Sequence, residues 1–409
     1  MFNKVNNPVV IYNKNFMECV LVISFPIKNY REEYLKVLDY VVCGKSGKYN
    51  TDKKKYLAVI DNYLLSCNGG ISFIGNSPFL EYRLSFPSYN CLGVDVLERN
   101  LLFIKELIYD SIDFTEDRID DIKFVVKGNI SRQFKDAFWY YDYKNSELID
   151  ENDFLVSRFM KNFDLLDSVT SDSLFEFYKS IISETPIVFL AGDVPLGSED
   201  IIKRVFLDNK ICNICFEKKY DCFCRNISPK TIVTREKTLF KTSALYYTYK
   251  VKNMKSDRDR ALLMIVKWLI SSKDSDVLYD VLRSKNNLVY RCFSDCYLNF
   301  GALIIKAFTD KENIELICTL YNEIMLKISD VCYISEKLPL FAKQVLIDKR
   351  LKREKIWDIL FEEVDNFFEH DVDSILQLTL DITSSEVSDF ITNRLILTNI
   401  YIGEGDSGE

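Results

Sequence analysis

Histidine is almost absent. The chain of 409 residues contains one, His370. A single imidazole cannot build a two-histidine metal site, and it removes most Ser-His and Cys-His nucleophile pairs. It follows Glu369 at the end of the acidic stretch Trp357–Glu369, where it reads as a solvated helix cap. Long apolar runs are missing too. Leu262–Ile270 is cut by Lys267 and falls short of the roughly 20 residues that span a bilayer, and Lys14 and Glu18 interrupt any signal-like run before Val20. The expectation is no membrane insertion and a cytoplasmic location. Positive charge is scarce as well: 53 Lys and Arg against 61 Asp and Glu leave a net charge of -8, with no strong basic block. Phosphate binding leans on clustered Lys and Arg, so a nucleic-acid partner is not expected. Gly69-Gly70 lacks the Lys and Ser/Thr of a phosphate loop.

What is present is hydrophobic content of 48% in a chain too long for one ordinary core, which implies two domains. Aromatics make up 14% and read as core and chamber lining; Tyr246, Tyr247 and Tyr249 share one strand and cannot all face one side.

Strand Met17–Phe25 is followed by an amphipathic helix Tyr30–Val42 with Leu35, Leu38 and Val42 on one face. A second helix, Asp52–Ser66, is expected to stop at Asn68-Gly69-Gly70. Two strands then join through Asn76-Ser77-Pro78, before long helices over Gly93–Asp110 and Glu116–Phe138, a helix after Thr170, and strand Ile187–Ala191. The second half repeats this order from strand Leu245–Val251. At a constant offset of 213 residues, Thr170 falls on Thr383, Phe177 on Phe390, Ile187 on Ile400 and Gly192-Asp193 on Gly405-Asp406. Such matched elements indicate two copies of one α+β domain, each a mostly antiparallel sheet with helices on one face. The expected division is a first domain over 1–205, a Cys-rich linker over 206–230 and a second domain over 231–409.

Twelve cysteines are scattered and read as reduced thiols, with one cluster apart. Cys212 and Cys215 have the spacing that lets two thiolates face one zinc, while Cys222 and Cys224 are tighter than usual. A structural zinc and plain reduced thiols both remain open for the four.

The stretch Leu278–Ser294 reads as a short helix stopped by Asn286-Asn287 and followed at once by a strand from Val289. Arg283 lies in the helix's last turn and Tyr290 comes seven residues later. Taken alone, this is a solvated arginine and a half-buried tyrosine. Within two repeated α+β domains it resembles the insulinase/pitrilysin family of metallopeptidases, the inverzincins, whose second domain carries a Leu-Arg segment with a tyrosine seven residues on. Leu282-Arg283 and Tyr290 fit that pattern, and the Ile187–Asp193 ending of the first domain is similar too.

The resemblance implies half of a clamshell that encloses peptides. It also exposes a departure. Active members carry H-x-x-E-H on the first helix and a glutamate ligand on a later one, whereas Tyr30–Val42 has no histidine and Asn129 aligns with the glutamate. No catalytic zinc of its own is therefore expected. Paired bacterial members divide the work, and this chain is similar to their non-catalytic subunit. That implies a peptide substrate, a homologous partner bearing H-x-x-E-H, and Arg283 and Tyr290 acting in trans at the partner's site. The alternative is a peptide-binding or scaffold protein of the same fold without a catalytic role.

Overall fold

The computed structural model describes residues 2–5, 8–28, 30–42, 64–74, 77–92, 96–110, 112–149, 163–207, 214–217, 231–254, 256–272, 276–298, 301–368 and 372–406. It contains strands β1 (Phe2–Val5), β2 (Val9–Tyr12), β3 (Glu18–Pro26), β4 (Ser66–Ile74), β5 (Ser77–Pro87), β6 (Ile187–Gly192), β7 (Ile214–Glu217), β8 (Ile232–Lys237), β9 (Ser243–Val251), β10 (Val289–Tyr297), β11 (Ala302–Thr309) and β12 (Leu395–Glu404). Strands β1 and β7 form a small antiparallel pair. The others make two five-stranded sheets, ordered β2-β6-β3-β5-β4 and β8-β12-β9-β11-β10. In each, the first strand runs parallel to its neighbour and every other pairing is antiparallel. The repeated element order is thus a repeated topology, and the fold is mixed α and β as expected.

Local chemistry explains most element ends. Thr170 caps helix Ser171–Ile182 and Thr383 caps helix Ser384–Asp389, each through a reciprocal capping box, with Ser173 and Glu386 respectively. The helix expected over Glu116–Phe138 ends instead at Phe134, and a new one, Ala137–Ile149, starts. Asp136 Oδ1 accepts from Trp139 N at 2.8 Å, the N-cap that restarts the chain.

Two other expectations change. Asn68-Gly69-Gly70 does not end a helix; it lies inside β4, while 52–63 fall outside the described residues. A side chain at Gly69 would place its Cβ 2.9 Å from the Val42 carbonyl oxygen, so close packing, not a turn, requires glycine there. The ungapped offset holds at the helix caps but slips at the strands. Ile187 packs in the core containing Ile356 and Leu360, whereas Ile400 packs on the opposite kind of face and Tyr401 takes the matching side. Two irregularities lie between the cap and this strand position, the π turn Phe390–Arg394 and a register shift between Leu397 and Asn399, and inserted residues of this kind break an ungapped offset.

The chain divides into two compact units, each discontinuous: 1–132, 157–218 and 351–369 in one, and 133–156, 219–350 and 370–409 in the other. Each sheet therefore receives one helix from the opposite half of the sequence. Helix Ile356–Phe368 sets Ile356, Leu360, Val364 and Phe367, spaced along one helical stripe, against Val20, Val22, Phe79 and Phe189. Helix Ala137–Ile149 packs Tyr141 against Ala244, Tyr246, Ile304, Phe308 and Tyr401 of the second sheet. Gly403 admits this helix: a Cβ there would stand 2.1 Å from the Tyr141 ring. Asp142 of the same helix and Asp295 bracket the buried Lys306 ammonium at 2.7 and 2.8 Å. The larger core covers the other face of that sheet, and there Tyr247 and Tyr249 point, opposite to Tyr246. Among the described residues, no helix is long and apolar enough to cross a membrane.

Candidate functional site

Arg283 and Tyr290 both stand on local irregularities of the backbone. Helix Val277–Tyr279, capped by Asp276 and anchored by buried Val277 and Leu278, widens into a π turn over Asp280–Lys285 that carries Arg283. Such turns are common at functional positions. Asn287 ends it in the left-handed region at φ 51°, and Leu288 N donates to Leu282 O at 2.8 Å. The register of β10 on β11 then shifts between Val289, opposite Thr309, and Arg291, opposite Phe308. Tyr290 is the extra residue of that β-bulge, a device that re-aims a side chain.

The geometry brings the two residues to one place. Arg283 Nη1 donates to Val289 O at 2.5 Å, which seats the guanidinium on the peptide unit leading into Tyr290. Tyr290 is 58% exposed, and its phenol donates to Asp310 Oδ1 at 2.5 Å. That hydrogen bond, reinforced by the charges of Asp310 and Glu312, raises the phenol's pKa, so Tyr290 keeps its proton through neutral pH. Asp310 gave no signal in the sequence, since it lies 20 residues away and nothing local marks it.

Helix Glu32–Val42 and the helix that bears Asn129 also meet. On helix Glu32–Val42, Lys36-Val37-Leu38-Asp39-Tyr40 has the spacing of H-x-x-E-H, with a lysine and a tyrosine where that motif has histidines and an aspartate, still a carboxylate, where it has glutamate. Asn129, on helix Glu116–Phe134, donates from Nδ2 to Tyr40 Oη at 2.6 Å, and its Oδ1 accepts from Arg132. Asp39 Oδ1 accepts from Ile71 N at 2.9 Å at the edge of the first sheet. An ammonium, a neutral phenol and a neutral amide do not fit a zinc site that needs imidazoles and an anionic carboxylate. Lys36, Asp39 and Tyr40 give no metal-ligand signal in the sequence, because no histidine stands among them.

Of the cysteine cluster, Cys212, Cys222 and Cys224 lie outside the described residues, and of Cys215 only the β7 backbone is described; His370 is likewise outside. Among the described residues no group of three His, Cys, Asp or Glu is arranged to hold a metal. Cys292 and Cys296 lie against the larger core, and burial pushes their thiols up to about 12 and about 11. The thiolate is the reactive form. At pH 8, iodoacetamide followed by peptide mass spectrometry is expected to label exposed Cys91 and Cys332 and to leave Cys292 and Cys296 unmodified.

Residues 168–331 match the family model described as "Peptidase M16 inactive domain". A Bacillus subtilis (strain 168) protein named "Probable inactive metalloprotease YmfF" is 21% identical over 261 residues, which span 62% of this chain and 60% of that protein, less than two thirds of its length. A conserved protein of known structure from Enterococcus faecalis V583 superposes with a TM-score of 0.82 at 17% identity, covering 100% of this chain and 99% of that one. Pitrilysin superposes with a TM-score of 0.67 at 10% identity over 98% of this chain and 42% of its own.

Proposed function

From the match of residues 168–331 to the M16 inactive-domain model and the likeness to a probable inactive metalloprotease, we propose that this chain is an insulinase/pitrilysin-type protein that serves as the non-catalytic subunit of a paired zinc metalloendopeptidase. In this reading it completes a chamber for peptides and lends Arg283 and Tyr290 to the zinc site of a homologous partner bearing H-x-x-E-H. The observation that carries the proposal is the Arg283–Val289 hydrogen bond, which holds a guanidinium beside the bulged Tyr290 while the chain's own ligand positions are taken up by Tyr40 and Asn129.

The chemistry follows from the groups. When a peptide carbonyl is attacked, negative charge grows on its oxygen, and a guanidinium already in place stabilises that charge without reorganising at the moment of reaction. Arg283 keeps further N–H donors beyond the one bonded to Val289 O. Tyr290 must leave Asp310 before it can donate to substrate. The action is placed in the cytoplasm, and the four linker cysteines are proposed as a structural zinc site.

Affinity purification of the tagged chain from its own cells, followed by gel filtration and mass spectrometry, is expected to recover a stoichiometric subunit containing H-x-x-E-H. Elution as a monomer or homodimer would overturn the divided site. Zinc analysis of the same material reports on the linker cysteines.

A further inference from the structure

The carboxylate that holds the Tyr290 phenol has another place to go. Asp310 directly follows β11, in an extended conformation at φ -81° and ψ 154°, and occupies the N-cap position of the short turn Lys311–Asn313, which runs into helix Ile314–Ser329. An aspartate at such a position ordinarily accepts the backbone N–H of the second or third residue that follows. Asp310 does not. Its side chain makes no cap hydrogen bond, and Oδ1 takes the phenol of Tyr290 at 2.5 Å instead. One carboxylate therefore stands between two sets of donors and serves one of them.

The backbone beneath the phenol is fixed by other groups. Leu288 O accepts from the buried Thr309 Oγ1 at 2.5 Å and from Asn313 Nδ2 at 3.2 Å, Leu288 N donates to Leu282 O, and Arg283 holds Val289 O. Letting go of Asp310 therefore frees the Tyr290 side chain and leaves the bulge in place. Tyr290 is more than half exposed, so its ring has room to turn. Glu312 faces the phenol as well, but acts on it through charge alone. A phenol has one proton to donate, and while Asp310 takes it none is left for a developing oxyanion.

We propose that Asp310 is a positioning residue, a latch that parks the Tyr290 phenol in the free subunit and gives it up by turning back to cap Lys311–Asn313. The inference rests on the divided-site reading above and adds to it a residue that controls when the tyrosine is available. Each group ends the exchange hydrogen-bonded, the phenol to substrate and the carboxylate to its own turn, so no polar group is left unmatched when the latch opens.

The test has an arm on the lone full chain and an arm on the assembled peptidase, with circular dichroism confirming the fold of every variant. In the chain labelled with 3-fluorotyrosine, the fluorine NMR signal that disappears in Tyr290→Phe is expected to titrate at lower pH in Asp310→Ala than in the unsubstituted chain. Amide exchange over 311–316 is expected to slow in Tyr290→Phe, where the carboxylate is left to the cap, and not in Tyr290→Phe with Asp310→Ala. In the assembled peptidase, Asp310→Ala should raise kcat/KM by about three- to tenfold and change nothing in a Tyr290→Phe background. An unmoved titration, unchanged amide exchange in Tyr290→Phe, a lower kcat/KM in folded Asp310→Ala, or a rise that persists without the phenol would each overturn the latch. Failure of the divided-site reading looks different: no partner co-purifies, while titration and exchange in the lone chain still move.

Discussion

Replacing Arg283 with alanine in the assembled peptidase is expected to lower kcat/KM by about 10²- to 10³-fold, the usual effect of removing one donor from a developing oxyanion. The magnitude reflects where the charge appears: a guanidinium fixed beforehand acts in a site from which water is excluded, so little bulk solvent screens it. Because Arg283 also bonds Val289 O, the variant must be shown to keep its fold and its partner, by circular dichroism and gel filtration. Arg283→Lys keeps the charge but loses the planar fork, and should recover only part of the rate. Tyr290→Phe should cost less, about three- to tenfold, because its O–H is already committed to Asp310 and what it offers substrate is the net value of one exchanged hydrogen bond. Full activity in a folded, assembled Arg283→Ala variant would favour the scaffold reading, in which the pair is only a wall of the pocket.

The second large effect concerns stability. Tyr141→Ala is expected to destabilise the second unit by about 3–5 kcal/mol, the range for truncating a fully buried aromatic side chain. Tyr141 is 0% exposed among Tyr246, Phe308 and Tyr401, and its hydroxyl donates to the Thr242 carbonyl at 2.7 Å with Thr238 Oγ1 at the same distance. Its place in the first half of the sequence makes the result diagnostic. Hydrogen exchange should show protection lost in β9, β11 and β12, not in β3, β5 and β6. Loss confined to the first sheet would refute the helix exchange.

Much of the candidate site was legible because its signals are short. The seven-residue step from Arg283 to Tyr290 spans one helix end, one Asn-Asn stop and one strand start, all set by neighbouring residues. What the step accomplishes was not legible. The π turn and the bulge are each a single inserted residue; the first closes locally, from Leu288 N to Leu282 O, but the bulge exists only against Thr309 and Phe308 and so depends on where β11 lies. The Asn-Gly-Gly segment misled for a related reason: glycine serves turns and close packing alike, and only the approach of Val42 separates the two.

By itself, the sequence determined the repeated order of elements, the capping threonines Thr170 and Thr383, the central strands, and the absence of histidine from helix Glu32–Val42. These follow from periodicity and hydrogen bonds that close within a few residues. Only the tertiary structure decided which sheet receives helices Ala137–Ile149 and Ile356–Phe368, that Tyr40 meets Asn129 across 89 residues of chain, and that the Asp310 carboxylate bonds Tyr290 instead of capping its own turn. A helix with an apolar stripe specifies that the stripe be buried, but not against which surface; that choice is made by the shape and charge of the sheets it can reach.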